Sequence, residues 1–331
     1  MEAANATAHC CAECGIAGGD SIKTCGSCFL VRYCNPTCQR SHWSTHKIEC
    51  KRRTAELRDE ALFKDPPAKE DCPICFLPMP VRLLSCISLP PATISSVPIN
   101  EYAIAHAELA NNVDTEHYFE CCGKSICRGC VFSFATTGLL GQCPYCNADR
   151  KGKTDEEKVG EMMKRVEAND ASSVCELGGY FNHGLGGLEQ DCVKAMELFA
   201  RATKLGSSKV HCFLADIYHS GGDFKKTLFH FEAAAMAGCE VSRCNLGVLE
   251  ANAGNKERAI KHFRIAASAG CFRAMSTLLI VFKQGHVNRD AIDATLTAYN
   301  NSCAEMRSKA RDLFIQIKLV EEEEKSLELL N

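Results

Sequence analysis

Along the C-terminal half of the chain, apolar residues recur at the three-to-four spacing of an amphipathic helix. In "KTDEEKVGEMMKRVEAN" (153–169), Val159, Met162, Met163 and Val166 share one side, which predicts a helix with a single buried face. Beyond it the pattern repeats every 32 residues: Gly206, Gly238, Gly270 and Ser302; Ala195, Thr227, Ala259 and Ala291; Phe199, Phe231 and Phe263; Ala202, Ala234, Ala266 and Ala298. Leu214, Leu246 and Leu278 keep the same period, with Leu177 displaced by the five extra residues of the "NHGLGGLEQD" turn. Several registers sharing one period predict stacked helix pairs. Small residues let the helices approach, Phe and Leu fill the space between them, and the result is a curved solenoid with a concave docking face. The acidic end, "VEEEEKSLELLN", reads as a solvated helical extension.

The N-terminal half has no such period. After Pro36, "TCQRSHWSTHK" predicts a short helix. "KRRTAELRDEALFKDPPAKED" is charged and helix-prone until Pro66 and Pro67 stop it, so it reads as a helix end followed by a linker, with Lys51, Arg52 and Arg53 in solvent. The apolar run Leu83 to Ile99 is broken by Pro90, Pro91 and Pro98 and does not predict a membrane span. "EYAIAHAELANN", just after it, predicts a further helix.

Composition changes this picture in one respect. The 331 residues suit two or three domains, and 38 basic against 41 acidic residues give no charge signal for nucleic acid or membrane. Six histidines of the helical half (His183, His211, His219, His230, His262 and His286) show no metal-like spacing and read as surface or packing residues. The 24 cysteines stand out: 17 lie up to Cys146, mostly as C-x2-C or C-x3-C pairs, and seven are scattered singly through the helical half. The singles (Cys175, Cys192, Cys212, Cys239, Cys244, Cys271, Cys303) read as small core residues. With no signal-peptide pattern, the paired ones read as metal ligands in a reducing compartment, which predicts a cytoplasmic or nuclear protein.

The first cluster has the spacing C-x2-C-x10-C-x2-C-x5-C-x3-C-x7-H-x3-C and supplies eight ligands: Cys11, Cys14, Cys25, Cys28, Cys34, Cys38, His46 and Cys50. Eight thiolate and imidazole groups fill two closed tetrahedral zinc shells, the structural rather than the catalytic kind. About 40 residues cannot bury enough apolar surface to fold unaided, so the metals would supply most of the folding free energy. Cys10 is out of frame, and His42 competes with His46, but only His46 leaves the three-residue gap to Cys50. The pattern, with its "YCNPTCQRSHWSTHKIEC" tail, resembles the MYND zinc finger. The resemblance implies interleaved ligands: Cys11, Cys14, Cys34 and Cys38 on one zinc, Cys25, Cys28, His46 and Cys50 on the other. It also implies a protein-interaction module, of a kind that in some members binds short proline-containing peptides. Lysine methyltransferases carry such fingers too, but no matching catalytic region follows here.

The second cluster opens with "CPIC" (Cys72, Cys75), continues after a long gap with "CCGKSICRGC" (121–130) and closes with "CPYC" (Cys143, Cys146). This order resembles a divergent RING finger, whose cross-brace assigns Cys72, Cys75, Cys127 and Cys130 to one zinc. For the other, Cys122, Cys143 and Cys146 are in frame, but Lys124 stands where the fourth ligand belongs, and a lysine ammonium has no lone pair to give. Cys121 is the nearest replacement, His117 the next and His106 a distant third; Cys121 and Cys122 together are the expected pair. Cys86, in the long insertion (76–120), is outside the ligand set. RING fingers dock ubiquitin-conjugating enzymes without a nucleophile of their own, and the resemblance places that docking surface on Ile74, Phe132 or Phe134, and Pro144. Many active members carry a basic residue directly after the last cysteine; here that residue is Asn147, with Arg150 and Lys151 further on.

The repeats, beginning with "LGGYFNHGLGGLEQDCVKAMELFARATKLGS", resemble the Sel-one-like relative of the tetratricopeptide repeat. The expected fold class is multidomain, two small cross-braced zinc fingers followed by an all-α helical-repeat solenoid. Its expected parts are a MYND finger (1–52), a helical linker (53–70), a RING-like finger (71–151), the repeats (152–318) and an acidic helical tail (319–331). The expected function is that of a ubiquitin ligase that recruits a conjugating enzyme through the RING-like finger and selects substrates with the MYND finger and repeats; the alternative is a non-enzymatic adaptor. Balanced charge and the lack of a basic stripe argue against nucleic-acid binding.

Overall fold

The structure, a computed structural model, describes residues 10–17, 22–80, 115–139 and 141–328. Cys86, His106 and the helix expected over 101–112 lie outside the described residues. The chain divides into two compact units, Met1–Lys64 and Asp65–Asn331.

The first unit is a two-stranded antiparallel ribbon and one long helix. Strands β1 (Lys23–Thr24) and β2 (Arg32–Tyr33) pair in the register Lys23 to Tyr33. Helix α1 (Pro36–Leu62) starts where the Asn35 side chain accepts the Cys38 N–H at 2.9 Å, with Pro36 in the first turn, where its missing N–H leaves no bond unmade. The short helix and the helix-prone linker of the sequence reading are thus one 27-residue helix. Nothing between Lys47 and Leu62 interrupts it, and Arg52 and Arg53 tie it along its surface to Glu49, Glu56 and Glu60.

The second unit begins with residues 65–70, which lie against the helical array rather than spanning open space. Lys69 Nζ reaches Glu240 Oε1 (3.2 Å) and Met306 Sδ (3.4 Å), and a Cβ at Gly238 would sit 3.3 Å from Pro67. Next comes the second cysteine-rich module, with β3 (Glu116–Phe119) antiparallel to β4 (Lys124–Cys127) and then α2 (Arg128–Thr136). Strand β3 falls inside the 76–120 insertion, so the end of that segment belongs to the module's sheet.

Helix α3 (Asp155–Glu167) follows, opened by a capping box between Thr154 and Glu157. It buries Val159, Met162 and Val166, whereas Met163 lies at the edge of this face and is exposed. Eight helices then form four consecutive pairs: α4 (Ala171–His183) with α5 (Cys192–Lys204), α6 (Val210–Ser220) with α7 (Phe224–Met236), α8 (Glu240–Asn252) with α9 (Lys256–Ser268), and α10 (Phe272–Lys283) with α11 (Arg289–Glu305). The repeated positions are the core: Phe199, Phe231 and Phe263 are buried, as are Ala202, Ala234 and Ala266 and the Leu series. Two of the phenylalanines need a glycine on the facing helix. A Cβ at Gly178 would come within 2.7 Å of the Phe199 ring and one at Gly247 within 2.6 Å of Phe263. Gly206, Gly238 and Gly270 recur because each ends a helix at positive φ (84°, 95° and 90°), where a side chain is disfavoured.

The fourth pair departs from the pattern. Ser302 lies inside α11, which runs on to Glu305, and the buried positions are Ile292, Thr295 and Tyr299 rather than Ala291 and Ala298. Among the single cysteines, Cys175, Cys212, Cys244 and Cys271 are buried as expected, Cys239 and Cys303 are half-buried, and Cys192 is exposed. The last helix, α12 (Lys309–Glu328), is not a free extension at its start: it returns to the cysteine-rich module and packs on α2. No described helix is long and apolar enough to cross a membrane.

Candidate metal centres

Among the described residues, four groups of cysteine and histidine side chains have their ligand atoms within 4.8 Å of one another. In the first unit these are Cys11, Cys14, Cys34 and Cys38, and Cys25, Cys28, His46 and Cys50. In the second they are Cys72, Cys75, Cys127 and Cys130, and Cys121, Cys122, Cys143 and Cys146.

The spacing of the donor atoms tests whether zinc fits. Bonds of about 2.3 Å in a regular tetrahedron put the sulfurs about 3.8 Å apart. The Sγ–Sγ separations are 3.7 Å for Cys14–Cys34, 3.9 Å for Cys25–Cys50, 3.9 Å for Cys75–Cys127 and 3.7 Å for Cys122–Cys143. Cys28 Sγ and His46 Nε2 are 3.2 Å apart. These are edges of ligand tetrahedra. Each tetrad supplies four donors, so zinc bound there has no position left for a reactive water and acts as a structural staple.

Local backbone geometry explains why C-x2-C pairs work. In four of the five pairs the residue after the second cysteine turns into the left-handed region: Gly15 (φ 70°), Phe29 (57°), Phe76 (54°) and Asn147 (58°); the fifth, Cys127 and Cys130, sits at the start of α2. The N–H of the left-handed residue bonds back to the carbonyl of the first cysteine in all four turns. Backbone N–H groups also turn toward sulfur. Those of Cys14 and Cys34 bring the Cys11 thiol down to about 6. Burial works against the Cys25 thiol, but the Cys28 and Ser27 amides still bring it to about 6. Both thiols are poised as the thiolates that zinc requires. Helix α1 then links the first two sites: Cys38 joins one, while His46 and Cys50, four residues apart on one face, join the other.

His42 stays out of the tetrads, with its Nδ1 3.0 Å from the Tyr33 hydroxyl and its ring stacked on His46. Cys10 stays out of the tetrads as well and forms a backbone bridge to Ala17. In the second unit Lys124 is exposed at the start of β4, and the tight turn between β3 and β4 brings Cys121 and Cys122 together to the fourth site. His117 lies on β3 against Phe119, its Nε2 3.4 Å from Arg150, and burial together with Arg128, Arg150 and Lys158 holds it down at about 4.

Residues from the helical half complete this second module. Arg311 of α12 is buried, with Nε donating to Cys127 Sγ at 3.3 Å and Nη2 to Cys75 Sγ at 3.4 Å. Its Nη1 donates to the carbonyls of Pro78 (2.8 Å) and Met306 (2.7 Å). A Cβ at Gly129 of α2 would come within 2.7 Å of the Arg311 backbone, so only glycine admits α12 there. Two thiolates of one site thereby face a fixed positive charge. The other side of the module is held as firmly. Tyr118 Oη lies 2.7 Å from Ser173 Oγ, Arg165 Nη2 donates to the Cys121 carbonyl at 2.8 Å, and buried Glu120 pairs with Arg150 at 2.6 Å. Nothing in the local pattern around Arg311 marked this role, since its partners in the cysteine-rich module lie more than 180 residues away.

The candidate docking residues separate. Phe132 packs on Phe314 of α12, with ring centroids 6.2 Å apart. Ile74 lies half-buried against the module's core, and Phe134 and Pro144 are half-buried. Asn147 has a backbone reason to be there, because asparagine is among the residues that best tolerate its left-handed conformation.

Comparison with known families separates the modules. Residues 11–50 match the MYND finger. Residues 171–207, 209–239 and 245–271 match the Sel1 repeat. MYND fingers and Sel1 repeats are protein-interaction modules. A stretch of 41 residues is 49% identical to Ubiquitin carboxyl-terminal hydrolase 19 of Arabidopsis thaliana, covering 12% of this chain and 6% of that protein. Over 47 residues it is 36% identical to Histone-lysine N-methyltransferase ASHR1 of the same plant, covering 14% and 10% respectively. The chain thus spans a tenth or less of the length of these relatives. Among solved structures, a Sel1 repeat protein from Oxalobacter formigenes aligns over 55% of this chain and 74% of its own, with 20% identity and a TM-score of 0.39. The c5321 antigen of uropathogenic Escherichia coli, which displays an SLR fold, aligns over 58% and 44% with 18% identity and a TM-score of 0.38. The family matches and the four tetrads together show cysteine-rich zinc-binding modules followed by a Sel1-repeat solenoid.

Proposed function

We propose that this chain is a protein-interaction adaptor whose MYND finger and Sel1 solenoid hold different proteins, with zinc serving only as a structural staple. The observation that carries this reading is the closed four-donor geometry of every tetrad, alongside two modules of a protein-binding type. The MYND unit also leaves Phe29, Leu30, Trp43 and Ile48 exposed, apolar surface suited to a short peptide such as a proline-containing one. Affinity capture with the full chain and with a Cys25→Ser, Cys28→Ser chain tests the division of labour. One set of partners should be lost and another kept; loss of all partners, or of none, contradicts it.

The ligase reading keeps one specific support: a cross-braced pair of cysteine tetrads with Ile74, Phe134 and Pro144 in the positions where RING fingers dock conjugating enzymes. Three features favour the adaptor over it. Phe132 is taken up by Phe314, Arg150 is committed to Glu120, and Asn147 supplies no charge beside the last cysteine. An autoubiquitination assay across a panel of conjugating enzymes, on protein holding about four zinc ions per chain, separates the two. Ubiquitin transfer with any of them, lost on Ile74→Ala, would replace the adaptor reading.

A further inference from the structure

Four of the seven cysteines in the helical half fall into register once the fold is known. Cys212 and Cys244 hold equivalent places in α6 and α8, while Cys239 and Cys271 are the N-cap residues of α8 and α10. The fold makes two pairs of them, each joining the first helix of one repeat to the start of the next repeat: Cys212 with Cys239, and Cys244 with Cys271. Their surroundings differ. Cys244 and Cys271 are both buried in the core beneath α9 to α11, whereas Cys239 is only half-buried. Cys212 and Cys239 line a groove of about 580 Å³ bounded by residues 67–71, by β4 and by the solenoid turns around Gly206 and Gly238.

Within the groove pair the sulfurs are 3.4 Å apart. Cys239 Sγ accepts the Ser242 N–H at 3.4 Å, and Ser242 Oγ lies 3.3 Å from Cys212 Sγ. A sulfur at a helix N-terminus, facing a backbone N–H and a second thiol, is stabilised as a thiolate. The Cys212 thiol, with Ser242 beside it, holds the Cys239 thiol below its ordinary value against the opposing effect of burial, while Cys212 itself is pushed up. Cys239 is thus placed as the attacking sulfur and Cys212 as the resolving one.

We propose that Cys212 and Cys239 are an oxidisable pair that reacts with hydroperoxides and closes reversibly to a disulfide across adjacent repeats. The Cys239 thiolate attacks the terminal oxygen of hydrogen peroxide; an S–O bond forms, the O–O bond breaks, and hydroxide leaves as water after taking up a proton. The sulfur is oxidised by two electrons to the sulfenic acid while the peroxide is reduced. Cys212 then loses its proton and displaces hydroxide from that sulfur, forming the S–S bond and a second water. In sum, two thiols and one peroxide give one disulfide and two waters. Moving the sulfurs from 3.4 Å to a bond of about 2.05 Å takes a shift of about 1.4 Å, within reach of side-chain rotation. A dithiol reductant reopens the bond by exchange.

The test treats the zinc-loaded full chain with equimolar hydrogen peroxide, blocks remaining thiols with N-ethylmaleimide and reads linked peptides by mass spectrometry. A Cys212–Cys239 peptide should appear while zinc remains bound, and dithiothreitol should abolish it. Its rate should exceed that of Cys244–Cys271 by about tenfold or more, since access governs thiol oxidation. Cys212→Ser should leave a dimedone-trappable sulfenic acid at Cys239, and Cys239→Ser should leave Cys212 unoxidised. The proposal fails if the zinc ligands oxidise before this pair, if the buried pair reacts as fast, or if the Cys212→Ser chain yields no trappable sulfenic acid.

Discussion

Replacing Arg311 by methionine keeps the aliphatic stem and removes the charge and every donor. Arg311 is 2% exposed, and its two shortest bonds, to the carbonyls of Pro78 and Met306, hold the chain beside Cys75 to the end of the helical array. Each carbonyl left buried without a donor costs about 1–3 kcal/mol. Losing the positive partner of the buried Cys127 and half-buried Cys75 thiolates belongs to the class of broken buried ion pairs, which cost about 3–5 kcal/mol. Taking about 3–5 kcal/mol as the total, the melting temperature of a unit of this size should fall by about 6–20 °C. The zinc held by Cys72, Cys75, Cys127 and Cys130 should also exchange about 10–100 times faster, as expected when an outer-shell partner is lost. Thermal melts of the zinc-loaded chain, with zinc release to a metallochromic chelator, read both effects. Arg311→Lys, which keeps charge but not the planar fork, should fall between the two. The reasoning is refuted if Arg311→Met melts within 2 °C of the parent and releases zinc at the same rate, because the guanidinium would then be a tolerated buried charge rather than a support.

Other expectations can be checked alongside. Cys121→Ser and Cys122→Ser should each lower the zinc content from about four ions per chain to about three; a full complement in either variant would remove that cysteine from the site. Gly247→Ala should destabilise by about 1–3 kcal/mol, despite alanine's better helix propensity, because the new Cβ meets the buried Phe263 ring at 2.6 Å. His230 packs on His211 and Tyr218, and burial, with His211 and Lys226, lowers it to about 4 from 6.5. Above pH 6.5 it is neutral folded or unfolded; between 6.5 and 4 the unfolded chain binds more protons, so stability falls on acidification. His230→Gln should therefore gain melting temperature relative to the parent at about pH 5 compared with pH 7.5, with zinc loss common to both chains; an unchanged difference would contradict this.

Residues whose partners are close in sequence, or recur at a fixed period, could be read without the fold. Four of the C-x2-C pairs needed only a turn and a left-handed residue after the second cysteine, and Cys127 with Cys130 only a helix start, so their spacing alone pointed to the side chains that the structure gathers into tetrads. The repeat register was legible because each helix pair must bury the same face against the next, which writes Phe199, Phe231 and Phe263 into the chain at 32-residue intervals. Where that register broke, at Ser302, the missing glycine was visible, but that α11 would run on to Glu305 was not.

Tertiary structure decided which long-range neighbours those local units have. Arg311, Tyr118 and Glu120 carry no mark of their partners in sequence, yet they fix the second zinc module between α3 and α4 on one side and α12 on the other. The same holds for Cys212 and Cys239, which as isolated cysteines read as core and become a pair only when two repeats stack. The physical reason is common to all of them. Spacing encodes contacts within a turn or a repeat, whereas a buried charge or thiol is satisfied by whatever the closed fold brings to it, and that is settled only when distant segments pack together.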